Sequence, residues 1–449
     1  MAAPAVLVIA LATVFHAGVA AKPQHNLLMV MCDSFDGRLT VFTGNHTVEL
    51  PFVNLMKRRG ATFLNAYTNS PICCPSRAAM WSGLFTHLTE SWNNFKCLDS
   101  NYTTWMDILN KHGYYTKKIG KEDYTDGHHS VSNRVEAWTR DVDFLLRQEG
   151  RPVVNLTGSP STVRVMEKDW QNTDAAANWI RKEAIKLTQP FALYLGLNLP
   201  HPYPSPDMGE DFGSSTFLTS PYWLQKVSYE AITFPEWIPL GDMHPVDYYS
   251  TFTKNCTGDF TKKEILDIRA CYYAMCAETD AMLGEVISAL SDAHLLEDTV
   301  VIFSSDHGEL AMEHRQFYKM SMYEGSSHVP LLMMGPKIRP GTHVPNIVSL
   351  VDIYPTVLDL SSDPDELRNV AKTFPGITAS LDTRLRSIVD YPKVTASVHH
   401  YNRREFAIWK QSLGDNYTSV IANLRWHMDW QRNPQKYERA IDEWLNNYK

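Results

Sequence analysis

The stretch Ser70-Pro71-Ile72-Cys73-Cys74-Pro75-Ser76-Arg77-Ala78-Ala79-Met80-Trp81-Ser82-Gly83 carries the residue types and spacing that point most directly to chemistry. Pro75 suits the first turn of a helix and Ala78 to Met80 propagate it, so Cys73 is expected at the positive N-terminal end beside Arg77. Such a position favours an anionic, reactive side chain. A buried structural thiol, or a disulfide to Cys97, are the plainer readings of the same residue, because buried thiols are common. Three further polar residues each close an apolar run: Asp33, His201 and Asp306. Singly, each acid reads as a strand-end cap or turn residue; together, beside the cysteine motif, coincidence is a poor explanation.

The runs that must position these residues are Asn26 to Cys32, Phe191 to Leu197 and Thr299 to Phe303, with a fourth at Val329 to Met334. Continuous apolar runs of this length are expected to form buried parallel strands. Helical spacing is expected over Asp174 to Leu187 and Lys262 to Leu290. Strands alternating with helices predict an α/β domain with a mostly parallel sheet, whose ligand lies beyond the carboxyl ends of the strands. Asp33, His201 and Asp306 fall there. Asn198 to Pro245, rich in Pro, Gly and Ser, is expected as a long surface excursion. After Leu360 helical patterns dominate: Ser380 to Val389, Arg403 to Leu413, Tyr417 to Trp430 and Gln435 to Leu445. Lys393 to Val398 is the only strand candidate there.

With 449 residues, 44% of them hydrophobic, 11% aromatic and 20% charged, the composition is globular. It excludes a disordered, collagenous or multi-span membrane chain, and its length admits two domains. A formal charge of −8 argues against a non-specific nucleic-acid binder. The 17 histidines outnumber that charge, so full protonation in an acidic compartment would reverse its sign. Met1 to Ala21 lacks Lys, Arg, Asp and Glu, runs apolar from Ala5 to Phe15 and ends in small residues, the pattern of a signal peptide over residues 1–21. An uncleaved anchor competes, but the run is short for a membrane span. Five sequons agree with a secreted or lumenal glycoprotein: Asn45, Asn101, Asn155, Asn255 and Asn416. Seven cysteines leave at least one unpaired, modified or bonded elsewhere.

Cys73-Xaa-Pro-Ser-Arg77, followed by Ser82-Gly83, resembles the signature of the type I sulfatases, and the similarity runs from Asn26 to Leu360. The resemblance implies an alkaline-phosphatase-like α/β catalytic domain over residues 22–360. It also implies that a formylglycine-generating enzyme oxidises Cys73 to formylglycine before folding ends. Asp33, Cys73, Asp306 and His307 then hold one divalent metal, Ca2+ being the family's usual ion. Ser34 stands where the family has a second aspartate, with Asp36 two further on, and His307 where it usually has asparagine. Imidazole is a less usual calcium partner and leaves metal identity open. Gly120-Lys121 resembles the element that gives Lys121 a sulfate-binding and formylglycine-orienting role, with Asp123 in place of the family histidine; His128 and His129 nearby read as loop residues. Pro200-His201-Pro202 resembles the element supplying a substrate-binding histidine and leaving-group acid, and His244 is a second candidate for that role. Lys319 matches the sulfate-contacting lysine, Glu324 a supporting residue, and Arg77 is expected to share in neutralising the sulfuryl oxygens.

By resemblance the chain is expected to be a sulfatase acting on an aryl sulfate or sulfated glycan, with no nucleic acid and no membrane span. Within the family it is most similar to lysosomal exosulfatases that remove 2-sulfate from glucuronate in glycosaminoglycans. The alternatives are a metal-dependent phosphodiesterase or phosphatase of the wider group, which His307 favours and the cysteine motif disfavours, and an inactive sulfatase-like glycoprotein. The second rests on a departure: Asp359-Leu360 runs straight into Ser361-Ser362-Asp363-Pro364-Asp365-Glu366. The strands of the family's smaller C-terminal subdomain are therefore expected to be missing, leaving a truncated, mainly helical region over residues 361–449.

Overall fold

The computed structural model describes residues 25–41, 46–125, 150–204, 214–359, 390–422 and 433–446. Its strands in chain order are β1 (Asn26–Asp33), β2 (Gly60–Tyr67), β3 (Tyr115–Gly120), β4 (Gly150–Leu156), β5 (Phe191–Pro200), β6 (Tyr203–Pro204), β7 (Ser214–Thr219), β8 (Thr299–Ser305), β9 (Leu331–Met334) and β10 (Thr342–Ser349). Seven form one sheet in the order β10-β2-β9-β8-β1-β5-β3. β1 pairs in parallel with β5 and β8, β3 with β5 and β10 with β2, while β9 runs antiparallel to both its neighbours. The sheet is thus mostly parallel, with one reversed strand.

The continuous apolar runs are explained by layers on both faces. Leu28, Val30 and Cys32 of β1 join one core cluster with the helix Lys262–Asp292, whereas Leu27, Met29 and Met31 join another with Met80 and Trp81 of the helix Cys73–Ser82. The period of two along the strand sends alternate side chains to opposite layers. Central strands buried this way need no polar face.

The helix Lys262–Asp292 does more than pack. It starts with its own capping box, in which Thr261 accepts from the Glu264 N–H and Glu264 accepts from the Thr261 N–H. The helices Pro51–Arg59 and Glu167–Lys182 have no side-chain cap of their own. Asp280 accepts from the N–H groups of Phe52 (3.0 Å) and Val53 (2.6 Å). Glu278 accepts from those of Val165 (2.8 Å) and Met166 (3.0 Å), and from the Trp170 indole (2.8 Å). One long helix therefore caps two others through buried carboxyl groups. Each cap satisfies donors that would otherwise be orphaned, worth about 1 kcal/mol apiece.

Several expectations are corrected. Asn198 to Pro245 is not merely a surface excursion: β7 runs through it with Phe217 buried, Trp223 is buried, and β4-β7-β6 form a second, three-stranded sheet. Lys393 to Val398 is helical, lying in the helix Tyr391–Leu413. Pro392 sits in that helix's first turn and Asp390 accepts from the Lys393 N–H, a start signal that outweighs the β-branched residues. This helix packs with Tyr417–Ala422 and Pro434–Asn446 around Phe406, Trp409, Ile421, Ile441 and Trp444, with Phe95 against the cluster. The disulfide joins Cys97 to Cys74, not to Cys73, and Cys32, Cys73, Cys256, Cys271 and Cys276 are buried thiols. The signal peptide over residues 1–21, Asn45, His128, His129, the junction after Leu360 and Ser380 to Val389 lie outside the described residues. Among the described residues no helix is long and apolar enough to cross a membrane.

Burial pushes the Glu278 carboxyl up to about 7, against the three donors that favour its charged form. The folded protein thus retains a proton that an unfolded chain releases near about pH 4.3. This contribution to stability is full in acid and is lost as pH rises through about 7. In thermal unfolding between about pH 5 and pH 8, Glu278→Gln is expected to flatten the decline of Tm. A decline as steep as in the parent would exclude Glu278 as its source.

Candidate active site

Strand register brings the site together. Cys32 of β1 lies opposite Ser305 of β8, so the next residues, Asp33 and Asp306, emerge side by side at the carboxyl ends. On the other flank Asp33 pairs with Pro200 of β5, which places His201 next in line. Gly120 of β3 pairs with Gly196 of β5 and delivers Lys121. That crossing needs glycine, because a Cβ on Gly196 would collide with the Lys121 carbonyl group. The helix Cys73–Ser82 points its N-terminus at the same spot, with Cys73 in its first turn. Ser76 locks it there, donating to the Asp306 carbonyl oxygen (2.5 Å) and accepting from Thr68 Oγ1 (2.9 Å).

Asp33, Cys73, Asp306 and His307 are all buried, and their ligand atoms lie within 4.8 Å of one another. His307 Nε2 stands 3.3 Å from Cys73 Sγ, 3.4 Å from Asp33 Oδ1 and 3.5 Å from Asp306 Oδ1. Its Nδ1 is 3.0 Å from the Gly308 carbonyl oxygen, which can only accept, so the proton sits on Nδ1. The Nε2 lone pair then faces the carboxylates. Burial holds His307 down at about 4, so it stays neutral at ordinary pH. Two carboxylates, a neutral imidazole and a fourth group at position 73 suit a divalent cation.

The cations stand around this cluster. Lys121 Nζ is 2.5 Å from Asp33 Oδ2 and 3.1 Å from Asp123 Oδ2. Burial alone would lower the Lys121 ammonium, but Asp33 and then Asp123 hold it well above its ordinary value. Burial would likewise raise Asp33, yet Lys121, His201 and His307 keep it well below the carboxylate range. Lys319 Nζ lies 2.5 Å from His201 Nε2, and His201 Nδ1 lies 2.6 Å from the Pro202 carbonyl oxygen. The ring is therefore a neutral Nδ1–H tautomer that accepts from the lysine, with its pKa well below normal through burial and then Lys319.

Three expectations change. The Cys73 thiol is not primed as a thiolate: burial, and then Asp33, push it up to about 11, outweighing the helix terminus and the nearby lysines. Arg77, expected to share in neutralising the sulfuryl oxygens, turns its donors to the protein interior. It is wholly buried, donating from Nε to Asp306 Oδ2 (2.7 Å), from one terminal nitrogen to Tyr194 Oη (2.8 Å) and the Lys121 carbonyl oxygen (3.2 Å), and from the other to the Cys32 carbonyl oxygen (3.0 Å). Of the two histidine candidates only His201 touches Lys319. His244 is exposed and caps the helix Pro245–Thr253, its Nδ1 accepting from the Val246 N–H.

Ser34, in a left-handed conformation (φ 71°), donates to Asp33 Oδ1 (3.2 Å), whereas Asp36 is turned away and paired with Arg38. Glu324 accepts from Tyr67 Oη and pairs with His328, neither of which belongs to the cluster.

Several positioning residues carried no local sequence signal. Lys254 is buried and donates to the Lys319 carbonyl oxygen (2.6 Å). Glu309 accepts from the Tyr318 and Ala311 N–H groups. Both neighbours of Lys319, Tyr318 (φ 64°) and Met320 (φ 77°), are left-handed, so this loop is held in a sparsely populated conformation by the groups around it. Asp169 fixes the end of β5 by accepting from the Asn198 and Leu199 N–H groups, both at 2.8 Å. Asn94 Oδ1 accepts from the Cys74 N–H (3.0 Å), beside the disulfide that ties down the same helix end. Only Ser76 was visible beforehand, as part of the cysteine motif.

An α/β sheet carrying a buried carboxylate, imidazole and cysteine cluster at its carboxyl edge is the architecture of the sulfatases, and the chain belongs to that family: the Sulfatase family profile matches residues 25–363. Arylsulfatase K of Gallus gallus is 62% identical over 503 aligned positions, covering 94% of each chain. Arylsulfatase K of Homo sapiens is 62% identical over 498 positions, covering 94% of this chain and 93% of its own. Among solved structures, a phosphonate monoester hydrolase from Silicibacter pomeroyi superposes with a TM-score of 0.59 at 19% identity, covering 75% of this chain and 73% of its own. A putative sulfatase from Bacteroides fragilis gives 0.54 at 21% identity, covering 80% and 78%. At those identities the structural likeness concerns the fold alone.

His307→Ala is expected to weaken divalent-cation binding at least about tenfold in calorimetric titration, since it removes one of four converging groups. An unaltered affinity would remove His307 from the ligand set.

Proposed function

We propose that the protein is a formylglycine-dependent exosulfatase of the arylsulfatase K type, acting on sulfate esters of glycosaminoglycan uronic acids, 2-sulfated glucuronate above all. The observation that carries the reading is the convergence of the Cys73 side chain with Asp33, Asp306 and His307, flanked by Lys121 and the Lys319–His201 pair. A thiol held at about 11 is a poor nucleophile at physiological pH, and conversion to an aldehyde explains why a cysteine stands in so acidic a setting. Cys73 is only 3% exposed, so oxidation by a formylglycine-generating enzyme must precede folding.

The aldehyde at position 73 adds water to give a geminal diol. One hydroxyl yields its proton to a neighbouring carboxylate, Asp306, and its oxygen attacks sulfur as the bond from sulfur to the ester oxygen breaks. Lys121 and Lys319 face the charge that gathers on the sulfuryl oxygens, and Arg77 holds Asp306 in place from behind. The departing oxygen takes a proton from the Lys319–His201 pair, in which the lysine is the donor and the neutral histidine its acceptor. Loss of the proton from the second hydroxyl then expels sulfate and restores the aldehyde. Asp33, Asp306, His307 and the residue at position 73 would hold a divalent cation, Ca2+ by the family's usage, which would supply Lewis-acid charge there.

The remaining site roles are proposed on the same footing. Lys121, His201 and Lys319 bind substrate, with His244 at most a contact at the rim. The described sequon residues Asn101, Asn155 and Asn416 are exposed and fit glycosylation; Asn255 is half-buried with a left-handed backbone (φ 53°). A signal peptide, a disulfide and glycans suit the secretory pathway and the lysosome.

A second reading is supported by one observation. The alignment with the Gallus gallus relative spans 503 positions, more than the 449 residues of this chain, so the relative carries segments this chain lacks. A deletion at the junction after Leu360 would leave a sulfatase-like glycoprotein without turnover.

Mass spectrometry of the peptide containing residue 73, from secretory-pathway expression, is expected to show the aldehyde. Turnover of an aryl sulfate should be abolished by a chelator and by Cys73→Ala. A persistent free thiol would sink the mechanism, and an aldehyde without turnover would favour the second reading.

A further inference from the structure

Lys121 reaches the site between two carboxylates, and only one of them belongs to the metal-ligating cluster. The other, Asp123, is 3.1 Å from Lys121 Nζ, with its side chain 19% exposed at the edge of the cluster. It is held there by a left-handed backbone (φ 37°), a conformation that aspartate tolerates better than most residues. Its neighbour Glu122 is turned elsewhere, pairing with Lys118 at 2.6 Å. An ammonium has three donors. With two of them facing carboxylates, Lys121 offers a substrate oxygen one donor, in the field of a fixed negative charge.

That charge has a chemical consequence. Sulfate monoesters carry one negative charge, whereas phosphate monoesters carry close to two above their second pKa of roughly 6. A fixed anion beside the oxyanion-binding lysine penalises the second charge more than the first. Simple orientation of Lys121 would act on both esters alike.

We propose that Asp123 is a specificity-determining residue that sets the preference for monoanionic sulfate esters over dianionic phosphate esters. The inference rests on the sulfatase reading of the site, and it assigns to this aspartate, which lies outside the metal-ligating cluster, a discrimination between the two esters.

The test uses the full chain carrying Cys73→Ala, loaded with calcium, so that neither ester turns over. Phenyl sulfate and phenyl phosphate are titrated calorimetrically at about pH 7.5, where the phosphate is mostly dianionic. Asp123→Asn, nearly isosteric and tolerant of the left-handed backbone, is expected to tighten phenyl phosphate relative to phenyl sulfate by about tenfold. Asp123→Glu, which keeps the charge, should retain the parent ratio and serves as the second variant. A ratio unchanged by Asp123→Asn, with the parent still binding phenyl sulfate, would overturn this inference while leaving the sulfatase reading intact. Failure of the Cys73→Ala parent to bind either ester would overturn both.

Discussion

Asp33 and Asp306 stand side by side in the interior, each wholly removed from solvent, and the rest of the site exists to make that arrangement tolerable. Unpaired carboxylates in such a place would cost several kcal/mol each and would take up protons instead. Arg77 meets Asp306 at 2.7 Å, Lys121 meets Asp33 at 2.5 Å, and the remaining Arg77 donors are held by Tyr194 and by the carbonyl oxygens of Cys32 and Lys121. The same guanidinium thus ties together the helix that carries Cys73, the ends of β1 and β8, and the segment after β3. A change in any one of these elements moves the others.

Polar groups elsewhere in the core follow the same rule. The helix Lys262–Asp292 is buried along most of its length, yet it carries Glu278 and Asp280 inward, where each ends on the N-terminus of another helix. These carboxyl groups exchange water for convergent N–H donors, and burial holds both up at about 7. Glu309, which organises the loop before Lys319, lies in the same range for the same reason. Each of these three interior carboxyl groups contributes stability that is present in acid and is lost as pH rises through about 7.

Division of labour at the site follows from burial. Groups with no exposure, such as Arg77 and Ser76, hold geometry. Lys121, Asp123 and His201 keep partial exposure and face whatever binds. Lys319 is buried but paired to His201, so its proton has a defined neighbour. The C-terminal helices enter this scheme from a distance: their aromatic cluster packs on Phe95, and Lys96 lies over the Tyr401 ring, next to the loop that the Cys74–Cys97 disulfide fastens to the catalytic helix.

Strands β1, β5, β8 and β9 were legible because two-sided burial demands unbroken apolar runs, and Asp33, His201 and Asp306 were legible because such runs must end on something polar. The edge strands β3 and β10, the second sheet and the interior strand β2 were not: half-exposed segments such as Tyr115–Gly120 carry no strong periodic signature, and in β2 Thr62 and Asn65 interrupt the apolar run. Among the described residues the helical patterns at Arg403 to Leu413 and Gln435 to Leu445 were readable by spacing, whereas Lys393 to Val398 is helical because a proline and aspartate start signal outweighs β-branched propensity. The cysteine motif, the strand-end acids and the helix periods were fixed by the order of residues alone, because each is a local pattern. Whether Cys73 is acidic, which cysteine pairs with Cys97, which histidine joins Lys319, and that Arg77 faces inward were decided only by tertiary structure. Each depends on burial and on charges brought together from distant parts of the chain.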